Sequence, residues 1–155
     1  MSEIRDRYGL ELTTGSAVAA EHYVEGLDLL LEQGFGPELQ FQKAVDVDEG
    51  FALAHAGLSL MQMFQGKVAQ AKDTAKHAGS LALRAPRRER QGVEAISLFI
   101  GGQGPKSLAL IREHLAEFPR DALMLRVANR LFLIGCSGAG VANYPNELYA
   151  MLKGG

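Results

Sequence analysis

Residues 52–83 read ALAHAGLSLMQMFQGKVAQAKDTAKHAGSLAL, and this stretch decides the fold. In its first half Leu53, Ala56, Leu60, Met63 and Phe64 recur at helical spacing, which gathers them on one face of a helix. In its second half Ala71, Ala75 and Ala78 recur the same way, so two helices are expected. Gly66 stands between them, and a glycine there supplies the turn that folds one helix back on the other. The expected unit is a helical hairpin with small residues on the inner face of its second arm.

The rest of the chain repeats this unit. A shift of 34 residues carries Phe41, Ala44 and Val47 onto Ala75, Ala78 and Leu81. A further shift of 36 carries Ser59, Met63, Phe64, Gly66, Ala71 and Ala75 onto Ala95, Phe99, Ile100, Gly102, Ser107 and Ile111. Another 34 carries Ala95, Phe99 and Ile100 onto Asn129, Leu133 and Ile134. Self-similarity at such a period is the mark of stacked helical units, none of which buries its apolar face alone.

Helix starts follow from local chemistry. Ser16 or Thr14 is placed to cap a helix from Ala17 to Gln33. Pro37, Pro86 and Pro105 each open an apolar-periodic run, where a missing amide hydrogen costs nothing; the runs are Glu38 to Val47, Arg87 to Ile100 and Lys106 to Phe118. Asp121 is expected to cap a helix reaching Ile134. With a short last helix after Pro145, eight helices are expected in four antiparallel hairpins, about 17–48, 51–83, 86–119 and 121–153. All linkers are short except that between Gly135 and Tyr144, and short linkers enforce antiparallel neighbours. The expectation is one all-α domain over residues 1–155, an α-α superhelix.

A period near 34 with two helices per unit resembles the tetratricopeptide repeat. Leu58-Ser59 takes the place of its Leu-Gly pair, Gly66 its turn, Ala71 and Ala78 its two small positions, and Pro119 its customary proline. His55 replaces the usual tryptophan, and Glu94 stands where Leu58 would recur. Asp6-Arg7-Tyr8-Gly9-Leu10, Leu12-Thr13-Thr14, Arg87-Arg88-Glu89 and Phe118-Pro119-Arg120-Asp121 resemble landmarks of the tetratricopeptide repeat protein 38 family. That likeness implies the N-terminal part of a longer solenoid whose uncapped last hairpin self-associates, and it implies no defined activity.

Composition narrows the function classes. The 155 residues are 47% hydrophobic and 22% charged, with a formal net charge of −2 and a pI near 6.1. No strong field draws the chain toward nucleic acid or anionic lipid. The N-terminus is charged from Glu3 and lacks an apolar signal, no run of about 18 apolar residues is present, and a single cysteine, Cys136, excludes an intramolecular disulfide. The cytoplasm is the expected address.

Chemistry-bearing motifs are scarce. His22, His55, His77 and His114 lie on four separate expected helices, without the convergent spacing of a metal site; His55 and His77 share a hairpin and could face each other. Gly135 to Gly140 lacks the preceding strand and following lysine of a phosphate loop. Arg84, Arg87, Arg88 and Arg90 lack interleaved aromatics for base stacking, and pair locally with Glu89 or Glu94 in the simplest reading. No catalytic residue, cofactor or metal is expected.

In the tetratricopeptide likeness the first helix of each unit lines the concave surface. The implied inward positions are Leu53, Ala56, Leu60, Met63 and Phe64; then Glu89, Gly92, Ile96, Phe99 and Ile100; then Leu123, Arg126, Arg130, Leu133 and Ile134. Candidate partner-binding residues are Leu53, Ala56, Leu60, Met63, Phe64, Ile96, Phe99, Ile100, Arg126 and Arg130. Burying three such apolar side chains contributes about 5–8 kcal/mol before ordering costs, enough for a core and enough for a groove. Both readings stay open here. The function expected is a non-catalytic scaffold for a protein or peptide partner, the alternative a small-ligand-binding or enzyme-accessory domain completed by further repeats.

Overall fold

A computed structural model describes residues 4–134. They form seven helices: α1 (Ala17–Leu31), α2 (Pro37–Val47), α3 (Ala52–Phe64), α4 (Val68–Ala82), α5 (Arg87–Ile100), α6 (Gly104–Glu117) and α7 (Ala122–Leu133). The only β feature among these residues is an isolated antiparallel bridge between Arg5 and Glu11. The chain is all-helical in this range. The helix expected after Pro145, the second arm of the last hairpin and Cys136 lie outside the described residues.

The helices begin where the side chains dictate. Ser16 accepts a hydrogen bond from the Ala19 amide at 3.1 Å and Asp121 accepts one from Met124 at 3.4 Å, each satisfying a donor with no intrahelical partner. Thr14 is not the cap; its Oγ1 accepts from Ser16 N at 3.2 Å and donates to Asp48 Oδ2 at 2.5 Å. Pro37 and Pro105 sit in first turns, Pro105 one residue inside a helix that begins at Gly104.

Helices α1 and α2, α3 and α4, and α5 and α6 pair as hairpins, and α2 on α3, α4 on α5 and α3 on α5 carry the stack forward. The three hairpins share one turn. Gln33, Gly66 and Gly102 all adopt a left-handed backbone, with φ of 56°, 80° and 80°. In each, the next residue's amide reaches back five residues: Gly34 to Leu29, Lys67 to Gln62, Gln103 to Leu98. This closing pattern satisfies carbonyls that the helix end leaves open.

Corresponding positions of the second arms are buried, though not all of them hold small residues. Phe41, Ala75 and Ile111 are buried, as are Ala44, Ala78 and His114 one turn on. Phe41 lies so close to its neighbours that a Cβ at Gly26 of α1 or at Gly57 of α3 would stand 2.9 Å from its ring. Tyr23 tilts against both Phe41 and Phe51, with centroids 5.8 and 5.2 Å away.

Helix α7 packs on α6 and reaches α1. It also faces the middle of the stack. A Cβ on Gly92 of α5 would lie 3.7 Å from Met124 of α7 and 3.9 Å from Leu53 of α3. Leu53, Ala56, Leu60, Ile96, Phe99 and Ile100 are consequently core residues here, each at most 8% exposed. Met63 and Phe64 are half-buried, and Leu133 and Ile134, implied as inward positions, are about half exposed.

Candidate binding groove between α1, α3 and α7

Of the ten candidate partner-binding residues, the structure brings Phe64, Arg126 and Arg130 together at one end of the stack. There the last turns of α1 and α3, the α1–α2 turn and α7 enclose a groove lined by Leu29, Leu30, Phe35, Met61, Phe64 and Arg126. The Arg130 guanidinium lies 5.3 Å from the centroid of the Phe64 ring. That ring meets Phe99 edge-on at 6.4 Å, so a cation covers one side of an aromatic pair.

Two features set this groove apart. Phe35 is 99% exposed, contributing a full aromatic surface at its rim. The Nε of Arg126 is buried with no hydrogen-bond partner among the described residues, although a buried polar atom ordinarily has one. Apolar walls beside an arginine whose Nε lacks a partner among the described residues suit an apolar segment that brings an acceptor. The sequence marked Arg126 and Arg130 as inward cations. It missed Phe35, because an aromatic in a turn carries no periodic signal.

Elsewhere the polar side chains form ties between elements. His55 and His77 do face each other, edge-on at 4.8 Å. The Nε2 of His55 lies 2.8 Å from the Glu49 carbonyl, and burial holds the His55 pKa below its ordinary value despite that bond. Among the described residues no group of three or more His, Cys, Asp or Glu is arranged to hold a metal ion.

The arginine cluster pairs differently from the local expectation. Arg87 meets Glu117 at 3.4 Å and Arg88 meets Asp121 at 3.1 Å. Helix hairpins bring these carboxylates from 30 or more residues away, whereas Glu89 faces inward and Glu94 faces solvent. Asp121 also lies 2.7 Å from His114 Nε2, and His114 Nδ1 lies 2.9 Å from Gln91 Oε1. Tyr23 sits in the field of Asp121 and Arg88, its pKa raised by burial first and by Asp121 next.

No family model, no curated protein and no solved structure matches this chain. Among the described residues no helix is long and apolar enough to cross a membrane.

Proposed function

We propose that this chain is a tetratricopeptide-like helical scaffold, related to the tetratricopeptide repeat protein 38 family, that performs no catalysis. It recognises a protein partner through the groove at the ends of α1, α3 and α7. The observation that carries this reading is Arg126, whose Nε has no acceptor among the described residues, beside a fully exposed Phe35. The three matching hairpin turns at Gln33, Gly66 and Gly102 support the repeat. The partner inserts an apolar side chain between Phe35 and Phe64 and presents a carboxylate or carbonyl oxygen to Arg126.

The core positions Leu53, Leu60 and Ile96 then act by holding the groove rather than by touching the partner. A photo-crosslinking residue in place of Phe35 is expected to trap a defined protein in cells that make the chain. Arg126→Glu is expected to abolish that product while the helical circular dichroism persists. An unchanged product with Arg126→Glu would remove the groove from consideration. A bound small molecule seen by native mass spectrometry, lost in the same variant, would favour the ligand-binding alternative.

A further inference from the structure

A second surface lies at the start of α5, and the chain itself occupies it. Residues 4–12 form a small hairpin, with Leu12 N bonded to Ile4 O and Asp6 N to Leu10 O, both at 2.8 Å. Its second limb, residues 10–14, runs as a strap across the start of α5. Three protein groups read this strap. Arg88 Nη2 donates to the Glu11 carbonyl at 2.5 Å. Glu89 accepts from the Thr13 amide at 2.9 Å and from the Thr13 hydroxyl. Asp48, at the end of α2, accepts from the Thr14 hydroxyl at 2.5 Å. Between these polar anchors the Leu12 side chain is buried in the core, 5% exposed.

This is the way a receptor holds an extended peptide. A guanidinium takes a main-chain carbonyl, a carboxylate takes a main-chain amide, one apolar pocket takes a side chain, and two acceptors select hydroxyls. Glu89 is 2% exposed, and both of its hydrogen bonds come from the strap. The donors that satisfy this buried carboxylate lie 76 residues away in sequence, and without them it would be left unpaired. Thr13 itself is exposed, so the strap is the outer partner of the pair.

We infer that the seat formed by Arg88, Glu89, Asp48 and the Leu12 pocket is a recognition site for an extended segment of a partner protein. The segment carries leucine followed by two hydroxyl residues, and the chain's own strap is its built-in competitor. Tethering gives the strap an effective concentration on the order of millimolar, so the seat stays shut until the strap is loosened or outcompeted. This site is separate from the groove at Arg126, and either can fail without the other.

The test uses the full chain and a fluorescein-labelled peptide of residues 4–16. The unaltered chain is expected to bind it weakly by fluorescence anisotropy. Leu12→Gly weakens the strap and leaves the seat intact, so the peptide is expected to bind at least tenfold more tightly. Adding Glu89→Gln to that variant, or placing proline at the Thr13 position of the peptide to remove its amide, is expected to reverse the gain. If Leu12→Gly loses its helical signal, Thr13→Ala, which removes only the hydroxyl donor, is read in the same way. Failure of both variants to fold, failure to bind peptide, or binding indifferent to Glu89 overturns the proposal. Dimerisation that excludes the peptide assigns the seat to a second copy and overturns it too.

Discussion

His114 Nε2 lies 2.7 Å from Asp121 Oδ2, and through that contact the last turn of α6 is fastened to the cap of α7. The same Asp121 oxygen takes Arg88 of α5 at 3.1 Å, while Oδ1 accepts from the Met124 amide. One carboxylate joins three helices, with 5% of its residue surface exposed.

Removing that carboxylate leaves Arg88 and His114 buried without it. Asp121→Ala is expected to destabilise the chain by about 2–4 kcal/mol in urea unfolding. Asp121→Asn keeps a good cap and is expected to cost clearly less. Equal losses in the two variants would mean that the charged junction, and not the cap, carries the effect.

Gly57 faces the ring of Phe41 at a distance where a methyl group does not fit. Gly57→Ala is expected to destabilise by about 1–3 kcal/mol from overpacking, even after the gain in helix propensity. In a Phe41→Leu background the same alanine is expected to become neutral or favourable, a coupling that a double-mutant cycle measures directly. Additive effects would place the strain elsewhere.

The shared hairpin turn makes a comparative prediction. Gly66→Ala and Gly102→Ala meet no nearby atom but keep a φ of 80°, so each is expected to cost about 1–2 kcal/mol from backbone strain alone. Gly79→Ala, also in open space but inside α4, is expected to stabilise by up to about 1 kcal/mol. Gln33→Gly relieves a side chain from the same left-handed position and is expected to raise the melting temperature.

His55 predicts an acid limb of stability. Burial, the largest cause, and the neighbouring His77 hold its folded pKa below the ordinary value of 6.5, while the Glu49 carbonyl, Glu49 and Asp48 oppose them. With the folded value lower than the unfolded one, the unfolded chain binds the extra proton first. The His55 contribution is therefore present above about pH 6.5 and lost as pH falls through the folded value. Melting temperature is expected to drop between pH 7 and 5, and to drop less in His55→Gln. Parallel profiles for the two proteins would exclude His55 as the sensor.

Helix positions were legible in the sequence because spacing, prolines and caps act locally. The expected starts at Ala17, Arg87 and Ala122 coincide with the helices found, and the shift linking Gly66 to Gly102 reappears as one turn geometry. Long-range placement was not legible. Glu89 fell at an implied inward position and read as a local partner for the arginines, and nothing nearby identified Thr13, 76 residues away, as its partner. Asp121 read as a cap, which it is, and its second duty toward His114 and Arg88 needed three helices in place. Gly57 was overlooked because the neighbouring Leu58-Ser59 filled the repeat pattern, although Gly57 is where α3 meets Phe41.

The hairpin contacts join residues close in sequence and form quickly, whereas loop-closing contacts of long span form late. The limb at residues 10–14 is made before α5, whose Arg88 and Glu89 lie more than 70 residues downstream. On the ribosome this limb has to wait, with Leu12 unsheltered, until α5 is made. A limb translated ahead of its partners is thus among the last parts to settle, and a chaperone that holds nascent apolar segments has its clearest opportunity there.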